Sequence, residues 1–162
     1  MRVTIIGATD IFADGVAGWA LEAGHDLTIV GFHRAQSEAY VRRLGSGAAL
    51  GPREPIHDEV IFLALPYECL QPVLRSYGDH LNGKLMVDVI TPLDPRSSEP
   101  IRSHAGSAAE EIQEFRPGIR VVKVFNPRLA GPIVSGAEPH RIPFSRLIKR
   151  NILRCPPVHR SG

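Results

Sequence analysis

The sequence has no apolar run approaching the roughly 20 residues that a helix needs to cross a bilayer. It also shows no leader pattern, because Met1-Arg2 passes straight into a short β-branched run. We therefore expect a cytoplasmic protein with no membrane partner. Cysteine is scarce. Cys69 and Cys155 lie far apart and offer no metal-ligand spacing, which argues against a disulfide framework and leaves two reduced thiols as the expectation. The histidines outside the strand ends, His25, His57, His80, His104, His140 and His159, show neither metal-ligand nor triad spacing, so no metal site and no catalytic residue is assigned. Acidic residues are missing from 139–162, where six lysines and arginines stand unopposed. Residues 1–138 carry 17 acids against 13 bases. A basic tail can meet nucleic acid or an anionic surface. Here the body is acidic, and aromatics are too few, at 6%, to interleave a basic stripe, so nucleic acid is not an expected partner.

What the chain does have is a series of short apolar strands, each closed by a turn signal. Arg2-Val3-Thr4-Ile5-Ile6 ends at Gly7, and Leu27-Thr28-Ile29-Val30 ends at Gly31. Ala48-Ala49-Leu50 is a short third strand, Val60 to Leu65 a fourth closed by Pro66, and Leu85 to Ile90 a fifth. Val121 to Phe125 completes the series. Helical spacing lies between them: Val16, Trp19, Ala20 and Ala23 before Gly24, then 35–44, then Leu70, Val73, Leu74 and Tyr77 after Pro66, then about 104–115. Strands apolar on both faces and alternating with helices require parallel pairing with helices on each side. The fold class is α/β, a doubly wound, mostly parallel sheet of the Rossmann type, whose ligand crevice lies at the carboxyl ends of the strands.

The residues that follow the strands are therefore the informative ones. The first turn reads Gly7-Ala8-Thr9-Asp10-Ile11-Phe12-Ala13. Gly7 suits a tight turn and Ala13 suits close packing of a helix on the strand, as a dinucleotide fingerprint demands, while the middle small position falls on Ala8 or Asp10. Asp10 is a good N-cap, yet its carboxylate opposes a pyrophosphate at the same N–H groups. After the second strand, His33 and Arg34 stand where an NAD-binding domain places an acid for the ribose hydroxyls. Arg holds phosphate through paired N–H donors, so this end favours NADP. Tyr67 and Glu68 read as packing and helix-start residues rather than an acid–base pair, and Asp88 as a structural strand-end acid.

With those turns, "FLALPYE", "GKLMVDVITPL", "SAAEEIQEF" and "VVKVFN", the chain resembles the NADPH-dependent reductases of the deazaflavin coenzyme F-420. These belong to a wider group of NADP oxidoreductase domains that includes pyrroline-carboxylate reductase. The resemblance runs from Met1 to about Ala130, with Phe62–Glu68 and Lys84–Leu93 its most specific parts. It implies hydride transfer between NADPH and a deazaflavin, with coenzyme F-420 or a related acceptor as substrate. By position, Gly7 and Thr9 to Phe12, with Asp10 and Ile11 between, flank the pyrophosphate. His33 and Arg34 take the 2′-phosphate, and Leu65, Pro66, Ile90 and Ala130 line the ribose and nicotinamide. The chain departs from the resemblance at Asp10, where glycine is usual, and at Thr91, where asparagine is usual. Beyond 130 it is replaced by a Pro- and Arg-rich stretch in which Phe144, Leu147, Ile148 and Ile152 line one short basic helix. The expected organisation is an NADP-binding domain at 1–130 and an irregular basic tail at 131–162. The partners are a small-molecule dinucleotide and, through exposed apolar surface, a homodimer. A non-catalytic dinucleotide-binding or sensing module, and a degenerate truncated reductase, stand as alternatives.

Overall fold

A computed structural model describes residues 1–7, 11–92, 94, 97 and 99–124, with only the backbone of Ile11 and Phe12. In chain order the elements are β1 (Arg2–Ile6), α1 (Ile11–Glu22), β2 (Asp26–Val30), α2 (Arg34–Leu44), β3 (Ala48–Leu50) and β4 (Val60–Leu63), then α3 (Leu70–Tyr77), β5 (Leu85–Asp88), α4 (Ala108–Phe115) and β6 (Arg120–Lys123). The six strands form one sheet in the order β3-β2-β1-β4-β5-β6, and each neighbouring pair is parallel. This is the doubly wound order. β1 lies at its centre, with Arg2–Ile6 registered on Asp26–Val30 and Val3–Ile6 on Val60–Leu63.

Each strand must bury both faces, and two cores do so. Val3, Ile5, Leu27, Ile29, Val87 and Val89 face α1 and α2. Ile6, Val30, Ile61, Leu63, Met86 and Ile90 face α3 and α4. The alternation along each strand follows the two-residue period of the pleat. The strands carry β-branched and other apolar residues at both parities, as a parallel sheet covered on both sides needs.

Three sequence expectations are corrected. The buried stripe of α1 is Ala13, Ala17 and Ala20, all with no exposure, while Trp19 is 53% exposed and meets His25 edge-on at 5.6 Å. Alanines let the helix approach the sheet more closely than an indole would. The fourth helix begins at Ala108 rather than near 104. Its N-cap is Ser107, whose hydroxyl accepts from the Glu110 N–H at 3.2 Å and donates to the Glu110 carboxylate at 2.7 Å, a variant of the capping box. β4 and β5 stop at Leu63 and Asp88, two residues early, and β6 begins at Arg120. β5 stops because the Ile90 N–H turns back onto Asp88 Oδ1 at 2.7 Å and leaves the ladder. Phe125, the tail residues and Cys155 lie outside the described residues.

The ends of β2 and β3 are joined by one buried hydroxyl. Ser37 Oγ on α2 accepts from the Gly31 N–H at 2.8 Å and donates to the Leu50 carbonyl at 2.6 Å. Replacing it with alanine strands both backbone groups in the interior. Ser37→Ala should therefore cost about 1–3 kcal/mol in urea unfolding. A variant as stable as the parent would show that the bridge contributes nothing.

Candidate dinucleotide site

The turns after β1, β2, β4 and β5 share the carboxyl edge of the sheet, and the winding reverses between β1 and β4. Gly7 stands at that point, where folds of this strand order place their ligand crevice. Its N–H donates to the Val30 carbonyl at 2.8 Å and its φ is +90°. A Cβ at this position would lie 2.4 Å from the Ala64 carbonyl oxygen and 2.7 Å from Leu65 Cβ. No residue with a side chain fits, so the two turns touch backbone to backbone. α1 then opens at Ile11, so the positive end of its helix dipole lies at this edge of the sheet. Thr9, Asp10 and Ala130, assigned from the sequence to the nucleotide, lie outside the described residues, and of Ile11 and Phe12 only the backbone is placed.

Asp14, in the first turn of α1, faces α2 rather than the crevice. Its carboxylate receives the Tyr40 hydroxyl at 2.5 Å and Arg43 at 2.5 and 3.1 Å. Burial raises its pKa, but hydrogen bonds from Arg43 and Tyr40 outweigh burial and hold it below the ordinary carboxylate value.

At the end of β2 the chain offers cationic character and, from its own turn, no acid. Gln36 Oε1 accepts from the Phe32 N–H at 3.0 Å, so a side chain of α2 fixes this turn. His33 is the N-cap residue of α2 in extended conformation, exposed, and its imidazole makes no capping bond. Arg34 begins α2, exposed, with its guanidinium toward two carboxylates: Glu38 at 3.2 Å and Glu54 from the β3–β4 connection. Hydrogen bonding to Glu54 raises the pKa of Arg34, and the same bond, with the Gly51 backbone, lowers that of Glu54. Of the two acids around Arg34, Glu38 lies one turn further along α2 and Glu54 comes from the β3–β4 connection.

Leu65 and Ile90 are core side chains, 7% and 2% exposed, so a ligand at this edge meets their backbone rather than their apolar surface. Pro66 precedes a 3₁₀ turn, Tyr67–Cys69, that runs into α3. Asp88 is fully buried, bound by the Ile90 N–H and by Lys123 Nζ at 2.9 Å, which agrees with a structural reading.

Sequence reading missed Glu111. This carboxylate of α4, 2% exposed, receives the Tyr67 hydroxyl, Ser103 Oγ at 2.5 Å and Gln71 Nε2 at 3.3 Å, with His104 Nδ1 at 3.4 Å. Tyr67 is thus partnered across 44 residues by Glu111, while its sequence neighbour Glu68 is exposed. Burial raises the pKa of Tyr67, and its bond to Glu111 adds to the rise. Burial also acts to raise Glu111, but the bonds from Ser103, Tyr67 and Gln71 win and hold it low. A depressed folded pKa gives stability that is present above the unfolded value, about 4.3, and lost as pH falls through the folded value. Glu111→Gln should flatten the acid limb of a stability–pH profile, measured by urea melts from about pH 6 downward. An unchanged slope would remove Glu111 from that role.

Among the described residues no group of three or more His, Cys, Asp or Glu could hold a metal ion, and no helix is long and apolar enough to cross a membrane. No curated protein matches the chain. A solved hypothetical protein from Sinorhizobium meliloti is 26% identical with a TM-score of 0.66, over 78% of this chain and 62% of its own. This chain thus spans less than two thirds of that protein. An imine reductase from Myxococcus stipitatus, solved in complex with NADP+, is 22% identical with a TM-score of 0.58, over 77% of this chain and 40% of its own. A 1-pyrroline-5-carboxylate reductase from Streptococcus pyogenes is 14% identical with a TM-score of 0.53, over 76% and 41%. These last two likenesses show the fold. Residues 2–92, more than half of the chain, match the family described as NADP oxidoreductase coenzyme F420-dependent, and to that family the chain belongs.

Proposed function

We propose that this chain binds NADPH at the carboxyl edge of its sheet and serves an NADP-dependent oxidoreductase, passing hydride between NADPH and a deazaflavin of the coenzyme F-420 type in the cytoplasm. The observation that carries the reading is the β2 end, where His33 and Arg34 replace the acid that would favour a free 2′-hydroxyl. Family membership supports the redox class, and the NADP+ complex of the imine reductase neighbour supports the nucleotide. When bound, the nicotinamide supplies the hydride. The chain's own task is to hold the pyrophosphate against the start of α1 and the 2′-phosphate against His33 and Arg34. The backbone around Leu65, Pro66 and Ile90 then orients the nicotinamide ribose. In this reading the nucleotide-binding domain is 1–130, the basic tail is 131–162, and Thr9 to Phe12 and Ala130 complete the contacts.

One observation favours a second reading, a dinucleotide-binding module without turnover. The acid–base groups described beside the crevice are engaged by other residues, Tyr67 by Glu111 and Asp88 by Lys123. Calorimetric titration in phosphate-free buffer tests what the two readings share, and an absorbance assay separates them. NADPH should bind about tenfold more tightly than NADH, the margin of a charge-assisted hydrogen bond. Binding of neither nucleotide defeats both readings. Tight NADPH binding without deazaflavin reduction in an absorbance assay selects the module.

Self-association belongs to the same proposal. Val122 and Val124, at the sheet edge, are 46% and 38% exposed. Sedimentation should show a dimer at high protein concentration, and a clean monomer throughout would remove this part.

A further inference from the structure

The cation that a 2′-phosphate needs is already engaged. Arg34 is held by Glu38, one helical turn further along α2, and by Glu54, twenty residues away on the β3–β4 connection. The first is an ordinary helix-surface pair. The second depends on a specific loop conformation. Gly51 follows β3 directly, and a Cβ there would lie 2.7 Å from Glu54 Oε1 and 3.5 Å from Arg34 Cβ. A side chain at residue 51 would press on the carboxylate where it folds back over the arginine. The Glu54 N–H closes the turn on the Gly51 carbonyl at 3.3 Å. Arg53, between them, has φ 69°, the only non-glycine residue with positive φ among those described. Its N–H donates at 3.3 Å to the hydroxyl of Tyr77, a buried residue of α3. Side-chain-bearing residues rarely adopt this conformation unless their surroundings impose it.

We propose that Glu54 sets the selectivity of the adenosine end. It occupies Arg34 in place of the 2′-phosphate, so a nucleotide bearing that phosphate must displace it. A free 2′-hydroxyl can instead donate a hydrogen bond to the same carboxylate. Arg34 thereby gives the site its affinity for phosphate, and Glu54 opposes it from the facing loop. The inference rests on the dinucleotide reading above and assigns a residue that the β2 fingerprint does not contain.

The test is calorimetric titration of the full chain and its Glu54→Gln variant with NADPH and with NADH, after a thermal melt has shown both to be folded. Glutamine keeps the shape and removes the charge. The ratio of NADPH to NADH affinity should rise about fivefold, the upper range of an exposed ion pair, mainly through tighter NADPH. Glu38→Gln, which removes the neighbouring acid without touching the loop, should move the ratio less. A ratio unmoved by Glu54→Gln, a weaker NADPH complex, or an equal shift from Glu38→Gln would each overturn the role of Glu54. These results would leave nucleotide binding intact. If parent and variant bind neither nucleotide, the dinucleotide reading fails and this inference fails with it.

Discussion

Gly7 sits where two strand ends converge, and the space there admits a backbone and nothing more. Its N–H is bound to the end of β2, and its α-carbon lies against the carbonyl of Ala64 at the end of β4. β1 pairs with β2 on one side and with β4 on the other, so this contact lies where the two halves of the sheet meet. The start of α1, the turn after β2 and the turn after β4 all take their positions from it. Any Cβ at residue 7 would push on main-chain atoms, which have no rotamer to yield. The junction thus rests on close backbone packing together with the Gly7 N–H bond to Val30.

The strands were legible because a parallel sheet covered on both faces tolerates few polar positions, and short apolar runs closed by Gly7, Gly31 and Pro66 satisfy that condition. Helix content was legible and helix faces less so. Trp19 lies at the same spacing as the alanines of α1, and periodicity alone cannot tell that the narrower stripe faces the sheet. The start of α4 could have been read more closely, since Ser107 followed by Glu110 is a capping signature, and Gly106 before it marks the turn.

At the site, the positions after each strand were legible as a class, but their partners were not. Arg34 meets Glu54 across a turn in which Gly51 leaves room for the carboxylate and Arg53 is left-handed. Neither the contact nor the left-handed turn has a sequence signature at a fixed offset. Glu111 reads as a solvated helix acid until Tyr67 and Gln71 from one stretch and Ser103 from another are folded around it. Each case is a long-range electrostatic arrangement, which local patterning does not encode.

Lys123 gives the last strand a further consequence, one of timing. Its ammonium reaches across from β6 to Asp88 and to the carbonyl of Ile90 at the end of β5, and Asp88 is fully buried beneath it. A buried carboxylate stripped of its cation costs about 3–5 kcal/mol. Chains emerge from the ribosome amino-terminus first. The buried carboxylate at the end of β5 therefore has its cation only once residue 123 has emerged. This edge of the sheet is thus completed by a side chain 35 residues further along the chain than the acid it covers.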